Sequence, residues 1–163
     1  ITALVLSGLP TRRFSFEGFL PYDKKERREV LKSIENETRT LIFYEAPHHL
    51  KDTLKELYNA LGDRNTACIR ELTKKYEEVK KEPLSKLMEY YDTNPPKGEF
   101  VVVVEGISRE ELRKNEIQSF EEMTIDEHML MYIEKGMSEK EAMKQVAKDR
   151  GVSKRDIYAY IHK

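Results

Sequence analysis

The sequence has a single cysteine among its 163 residues. One thiol excludes an intramolecular disulfide and any metal site that needs several cysteines. Cys68 stands in the apolar run Ala67-Cys68-Ile69, which favours a buried structural thiol over a catalytic one. A buried, reduced thiol is typical of proteins in a reducing compartment, so we expect a cytoplasmic location.

Long hydrophobic runs and an excess of one charge are also missing. The apolar run Phe100–Val104 is among the longest and is still far short of the ~20 residues of a transmembrane helix, so we expect no membrane association. Lys and Arg number 29 against 30 Asp and Glu, for a net charge of −1. The chain as a whole therefore has no attraction to nucleic acid, and any basic surface must be local.

Common catalytic motifs are absent. There is no P-loop, no Gly-x-Gly-x-x-Gly, no His-Glu-x-x-His and no Gly-x-Ser-x-Gly. His48 and His49 are adjacent, and neighbouring helical side chains point about 100° apart, so the two do not share a metal easily. We predict no metal site.

Strand and helix patterns alternate over residues 1–106, which predicts an α/β domain with a parallel or mixed sheet. The predicted strands are Thr40–Tyr44, Thr66–Arg70, Glu99–Val104 and a polar edge strand at Tyr76–Lys81. The predicted helices are residues 1–8 ending at Gly8, a helix capped by Asp23 and running to about Asn36, one beginning at Pro47, and a short one from Leu84 to Tyr91.

The aromatic segment Phe14–Pro21 is predicted to be a loop or short strand. Its three phenylalanines are expected to anchor the segment to the core rather than to contact a ligand. Ile1 opens inside a helical pattern with no cap before it, so we expect the chain to be the C-terminal part of a longer enzyme.

The composition changes after the α/β domain. Residues 107–123 are polar without clear periodicity and predict a linker, and residues 124–163 predict a helical tail of helix-turn-helix proportions. Capping boxes at Thr124 and Ser138, a cap at Ser153 and a small core including Tyr160 support the tail. Seven Lys and Arg against four Asp and Glu in residues 138–163 leave both RNA binding and a packing role open.

Polar segments adjoin three of the predicted strands: Tyr44–His49, Arg70–Lys75 and Pro96–Phe100. Ligands collect beyond the C-terminal ends of strands in α/β sheets, where Glu45 and Glu71 fall. Each segment alone also fits a purely structural role, as a helix N-terminal carboxylate, a surface ion pair or a tight turn.

Five motifs in order make the sequence recognisable. Ser-Gly-Leu-Pro-Thr (7–11), Phe-Glu-Gly-Phe-Leu-Pro (16–21), Thr-Leu-Ile-Phe-Tyr-Glu-Ala-Pro-His (40–48), Arg-Glu-Leu-Thr-Lys (70–74) and Lys-Gly-Glu-Phe-Val (97–101) resemble the C-terminal portion of the ribosomal RNA small subunit methyltransferase I family. This family belongs to the tetrapyrrole methylase (class III methyltransferase) superfamily. The resemblance implies the superfamily's C-terminal mixed-sheet α/β domain followed by a helical extension.

The resemblance also implies the activity. It implies transfer of a methyl group from S-adenosylmethionine to the ribose 2′-oxygen of a cytidine in small-subunit rRNA, with the small ribosomal subunit as partner and a homodimer as the assembly. Half of the cofactor site would lie outside this chain, so we expect residues 1–163 alone to be inactive. Two alternatives stay open: methylation of a corrin or porphyrin precursor, and a non-catalytic module that binds nucleic acid through the helical tail.

Matching the superfamily's positions residue by residue implies a group of cofactor-binding residues, and several basic side chains are separate candidates for contact with RNA, for which simple solvation is an equally good interpretation. The cofactor-binding group is Tyr44, Glu45, Ala46, Pro47, Leu72, Gly98 and Glu99, with Gly98 allowing close approach of the backbone to the ligand. The candidates for contact with RNA are Arg12, Arg13, His48, Arg70 and Lys74. A ribose hydroxyl benefits from a proton acceptor, for which Glu45, Glu71 and His48 are candidates, and none is singled out.

Overall fold

The computed structural model of the protein describes residues 1–161, and it divides the chain into two compact units, residues 1–108 and residues from Arg109 onward. His162 and Lys163 lie outside the described residues, including the Lys163 that was counted in the charge of the tail. Within the described residues, no helix is both long enough and apolar enough to span a membrane.

The first unit has five strands and four helices. The strands are β1 (Phe14–Gly18), β2 (Thr40–Glu45), β3 (Asn65–Arg70), β4 (Glu78–Pro83) and β5 (Phe100–Val104). The helices are α1 (Thr2–Ser7), α2 (Lys24–Ser33), α3 (Leu50–Leu61) and α4 (Leu84–Thr93).

The strands form one mixed sheet in the order β1-β2-β5-β3-β4. β1 and β2 pair in parallel, and the other three neighbouring pairs are antiparallel. β5 lies between β2 and β3, so that Phe100 pairs with both Glu45 and Arg70. The C-terminal ends of β2 and β3 and the start of β5 therefore meet at the same end of the sheet. The predicted α/β fold with a mixed sheet is confirmed.

Both faces of the sheet are covered, which explains why the central strands are continuous apolar runs. One face packs against α2, α3 and α4 around Phe43, Val102 and their neighbours. The other face packs against α1 through Leu4, Ile42 and Val103. All five residues of β5 are buried. Cys68 is buried as predicted, and burial raises the pKa of its thiol to about 12.

The segment after β2 differs from its prediction. The helix begins at Leu50 rather than at Pro47, because residues 46–49 first form a tight turn in which the His49 amide donates to the Ala46 carbonyl at 3.1 Å. Pro47 occupies the second position of this turn, where its fixed φ is favourable. Its role is to shape the turn that carries the chain from the strand end into α3.

The second unit consists of helices α5 (Arg109–Glu122), α6 (Ile125–Glu134), α7 (Glu139–Asp149) and α8 (Lys154–Ile161). Residues 109–122 were predicted as part of a linker, and they are helical instead. The pattern gave no signal because α5 has no buried residue and hence no apolar stripe.

The predicted caps of the tail are present. Thr124 and Ser138 form capping boxes, and Ser153 accepts from the Asp156 amide. The core contains Met129, Ala142, Met143, Val146, Ala147 and Ile157. Tyr160 is exposed, so its predicted place in this core was wrong.

His128 is the one fully buried histidine among the described residues. Its Nδ1 accepts from Arg150 Nε at 3.2 Å, its Nε2 lies 3.4 Å from an Asp149 oxygen, and its ring stacks on Phe120 at 4.3 Å. An Nδ1 that accepts a hydrogen bond places the proton of the neutral ring on Nε2. Burial, reinforced by the Arg150 charge, lowers the pKa of His128 in spite of Asp149.

Candidate active site

A cavity of about 600 Å³ opens at the end of the sheet where β2 and β3 finish and β5 begins. Its walls combine aromatic, aliphatic and charged side chains. They come from Phe19, Tyr44, Glu45, Ala46, Pro47, Leu72, Lys74, Glu99, Phe100 and Val101. The sheet thus brings together residues from four separate segments, and every predicted cofactor-binding residue except Gly98 lines this pocket.

Glu45 is buried at the base of this pocket, and both of its carboxylate oxygens are occupied. Oε1 accepts from the Ala46 amide at 2.8 Å, and Oε2 accepts from the Thr53 hydroxyl at 2.5 Å. Arg27 donates to the same hydroxyl at 2.8 Å and pairs with Glu56. This chain of contacts fixes the turn after β2, so Glu45 holds the pocket wall in place.

Sequence reasoning missed Thr53 and Arg27. A signal for Thr53 was present, because it is a polar residue within the apolar face of α3 that includes Leu50, Leu54 and Leu57, and it is fully buried. A buried hydroxyl needs a hydrogen-bond partner. Arg27 gave no such signal, since it lies in a helix that is charged along most of its length.

The loop after β3 is clamped onto the start of β5 by Glu71. The Glu71 amide donates to the Glu99 carbonyl at 2.9 Å, and its carboxylate accepts from the Glu99 amide at 2.8 Å. The second bond lowers the pKa of Glu71, with help from Lys74. Glu71 and Thr73 both have positive φ, at 49° and 63°, a conformation that residues other than glycine rarely adopt. The contacts across to β5 hold this backbone in place.

Gly98 is required by this clamp. Its φ is +80°, and a Cβ at this position would lie 2.6 Å from Glu71 Oε1 and 2.7 Å from Glu71 Cγ. Gly98 does not line the pocket, so the space it leaves is filled by a side chain of the protein itself. The close approach that the structure shows at this glycine is that of Glu71, and contact of Gly98 with a ligand stays a prediction.

Lys74 lies at the pocket wall between two carboxylates. Its Nζ is 2.7 Å from Glu99 and 3.3 Å from Glu71, and these contacts raise the pKa of Lys74. The protonated amine therefore lies between these two carboxylates at the pocket wall. Arg70 is directed elsewhere, since it pairs with Glu78 of β4 at 3.0 Å and does not line the pocket.

Phe19 and Tyr44 of the pocket wall belong to an aromatic cluster that also includes Phe16. Phe16 and Phe19 lie 5.0 and 5.6 Å from the Tyr44 ring, measured between centroids. Their exposed fractions are 55% for Phe16, 60% for Phe19 and 44% for Tyr44, and Phe14 is exposed too. The expectation that these phenylalanines anchor the segment to the core was wrong, because no layer of the described unit covers this part of β1. Phe19 instead belongs to the pocket.

The remaining predicted residues lie outside the pocket. Arg12 and Arg13 precede β1, and the Arg13 carbonyl accepts from the amide of Thr40 at the start of β2. β1 and β2 are parallel, so both arginines lie near the start of β2, at the opposite end of the sheet from Glu45. His48 is exposed on the turn, with its ring 4.2 Å from that of His49.

The three candidate proton acceptors, Glu45, Glu71 and His48, differ in their hydrogen bonds and in their position relative to the pocket. Both oxygens of Glu45 are engaged, Glu71 has a lowered pKa and an amide partner, and His48 does not line the pocket. A carboxylate with a lowered pKa is a weak base. Of the three candidates, only Glu45 lines the pocket, and both of its carboxylate oxygens accept hydrogen bonds within the protein.

Comparisons with known proteins identify relatives over almost the whole chain, although no family model matches it. It is 44% identical to ribosomal RNA small subunit methyltransferase I of Bacillus subtilis over 162 residues, which are 99% of this chain and 55% of that protein. The protein of the same name from Halalkalibacterium halodurans is 46% identical over the same shares. That of Escherichia coli O157:H7 is 40% identical over 98% of this chain and 54% of that protein.

Solved structures give weaker matches. Cobalt precorrin-4 methyltransferase CbiF has a TM-score of 0.49 at 15% identity, over 63% of this chain and 46% of that one. The methyltransferase CobJ has a TM-score of 0.48 at 17% identity, over 64% of this chain and 46% of that one. The chain spans about half the length of the curated relatives it matches. Over nearly its whole length, its sequence is similar to proteins named ribosomal RNA small subunit methyltransferase I.

Proposed function

We propose that this chain forms one wall of the active site of an S-adenosylmethionine-dependent methyltransferase that acts on small-subunit ribosomal RNA. The observation that carries the proposal is the pocket at the end of the sheet, which six of the seven predicted cofactor-binding residues line. The names of the relatives at 44% and 46% identity supply the reaction class and the substrate.

The pocket suits such a cofactor in size and in chemistry. Ligand sites of small molecules commonly occupy about 300–1,000 Å³, and this cavity of about 600 Å³ lies within that range. Leu72 and Phe19 offer apolar surface for a base and ribose. The face of Tyr44 and the carboxylate of Glu99 suit a positively charged sulfonium. Backbone amides and carbonyls at the strand ends suit the polar edge of a nucleobase.

S-adenosylmethionine supplies an activated methyl group on its sulfur, and the protein's task is to align the acceptor with it. Holding two reactants in the correct alignment lowers the activation barrier by as much as about 7–11 kcal/mol. Glu45, held by Ala46 and Thr53, keeps the β2 wall rigid, and Glu71 keeps the β3 and β5 segments in register with each other. We infer that alignment dominates, because the candidate bases are engaged in structural contacts.

For the acceptor we propose the ribose 2′-hydroxyl of a cytidine, as the family resemblance implies. Lys74 is placed to meet a phosphate of the RNA at the pocket rim, where its Nζ is held protonated. Arg12 and Arg13 lie beside the start of β2, at the other end of the sheet from Lys74, and their contact with RNA stays a prediction. The homodimer and the cytoplasmic location stay predictions.

The test uses a full-length enzyme that contains this chain. It is incubated with S-adenosylmethionine and unmodified small ribosomal subunits, and transfer of labelled methyl to the rRNA is counted. We expect transfer by the wild type and at least a tenfold loss in Leu72→Arg, whose long charged side chain would fill the pocket. Transfer to a corrin or porphyrin precursor in place of rRNA would contradict the proposal.

A further inference from the structure

The groove between α2 and α3 is a second cavity, of about 800 Å³, and it lies apart from the pocket described above. The two helices run side by side in the same direction. Tyr22 meets His49 just before both helices begin, and Arg64 donates to the Glu35 carbonyl just after both helices end. The groove therefore starts near the turn of residues 46–49 that borders the pocket, and it leads away along α2.

The rim of the groove carries a row of cations. Lys24, Arg28 and Lys32 all line it, they are exposed, and they recur every fourth residue. At 1.5 Å of rise per residue, successive charges stand about 6 Å apart along the helix. None of the three forms a salt bridge with another of the described residues 1–161. These are charges that remain available to a partner.

The positive charge of the first unit is concentrated in α2 rather than spread evenly over residues 1–108. Residues 1–108 carry eighteen Lys and Arg and eighteen Asp and Glu, whereas α2 alone carries five basic residues against two acidic ones. The acidic side chains that line the groove are Glu56, which is paired with Arg27, and Glu35 at its far end. Leu31 and Ala60 give the groove an apolar floor. A local basic stripe on a neutral unit is the electrostatic footprint of a polyanion site.

Aromatic rings connect this stripe to the pocket. Tyr22 is 83% exposed and lies edge-on to His49 at 5.6 Å, and His49 contacts the His48 ring at 4.2 Å. Cationic grooves combined with exposed rings are the usual means of holding single-stranded nucleic acid, whose phosphates pair with the charges and whose bases stack on the rings.

We propose that the α2–α3 groove binds the phosphate backbone of the RNA substrate, through Lys24, Arg28 and Lys32, and so directs the strand past Tyr22 and the histidines toward the pocket. This inference rests on the proposed function for the identity of the polyanion. It gives the enzyme a binding surface on the first unit that is separate from the cofactor wall and from the basic tail.

The test compares two triple variants of the full-length enzyme that contains this chain. The first is Lys24→Glu, Arg28→Glu and Lys32→Glu. The matched control is Lys51→Glu, Lys55→Glu and Lys86→Glu, which makes the same change in net charge at exposed positions of α3 and α4. Binding of an unmodified small-subunit rRNA transcript is measured by filter retention at several salt concentrations. Circular dichroism establishes that both variants are folded.

Each phosphate contact to a single strand contributes about 0.7 to the slope of log K against log salt, so loss of three contacts reduces the slope by about 2. We expect this reduction in the groove variant, and a reduction below about 1 in the control. Equal slopes in the two variants would overturn the inference. So would a groove variant that keeps rRNA binding but loses binding of polyglutamate, because the partner would then be an acidic protein segment.

A methylation assay on the same samples separates this inference from the proposed function. If the wild type methylates rRNA while the groove variant matches the control in binding and in rate, the groove inference fails alone. If the salt dependence of rRNA binding is reduced in the groove variant as predicted, but no sample methylates rRNA, the proposed function fails and the groove remains an RNA site.

Discussion

Gly98→Ala tests the clamp that holds the pocket together. The new Cβ would lie 2.6–2.8 Å from three atoms of the Glu71 side chain, on a backbone with φ of +80°. Such contacts are not tolerated, so the Glu71 carboxylate must leave the Glu99 amide to which it is bonded at 2.8 Å. The loop after β3, with its two positive-φ residues, then loses the contact that orders it.

The expected loss of stability has two parts. Alanine in the left-handed region costs about 1–2 kcal/mol by itself. For a domain of about 100 residues this lowers the melting temperature by about 4–8 °C for each kcal/mol. The collision with Glu71 adds to this cost. The additional part should vanish in the Glu71→Ala background, because the Cγ, Cδ and Oε1 atoms that the new Cβ meets are then gone.

A double-mutant cycle measures this coupling. The free energies of unfolding of the wild type, Gly98→Ala, Glu71→Ala and the double variant are obtained from urea titrations followed by circular dichroism. Gly18→Ala is the control for backbone strain, since Gly18 also has a positive φ, of +68°, but has no neighbouring atom within 4 Å of the position that a Cβ would take. We expect the cost of Gly98→Ala to be smaller in the absence of Glu71. Additive costs would refute the clamp, since independent sites add.

Three further predictions follow from buried groups. Thr53→Val should lower the free energy of unfolding by about 1–3 kcal/mol, because it leaves the buried Glu45 carboxylate without one donor, whereas Thr53→Ser keeps the hydroxyl and should cost less; equal costs in urea titrations would contradict this. The second unit should lose stability as the pH falls below about 6.5, because the lowered pKa of His128 lets the unfolded state bind the proton first, and thermal melts of His128→Gln should show a weaker pH dependence in this range. Cys68 should react with a thiol reagent at about pH 8 only after denaturant is added, since burial raises its pKa to about 12; rapid labelling of the native protein would contradict its place in the core.

The strands and most helix limits followed from local pattern. The apolar runs of β2, β3 and β5 are too short for helices and too apolar for exposed loops, so their identification needed no tertiary information. The position of β5 between β2 and β3 did not follow from pattern, because strand order depends on long-range packing. That order brings Glu99 beside Glu71 and thereby creates the pocket edge.

Six of the seven predicted cofactor-binding residues line one pocket, and their role in binding stays a prediction. The resemblance placed Gly98 among the ligand contacts, whereas its lack of a side chain accommodates Glu71, a relation between residues 27 positions apart that no local pattern contains. Helix α5 was missed because a helix without a fully buried residue gives only a weak form of the periodic signal used to find one. The exposure of Phe16 and Phe19 was missed because apolar composition alone does not distinguish a core contact from a binding surface.

The most direct test of the central claim is the position of the transferred methyl group. Small-subunit rRNA from the reaction of a full-length enzyme that contains this chain is digested to nucleosides and analysed by mass spectrometry. We predict a single additional methyl group on the ribose of cytidine, absent when the Leu72→Arg variant is used. A methyl group on a base, or equal ribose methylation by the Leu72→Arg variant, would contradict the assignment of the pocket beside Glu45 as the methyl-donor site.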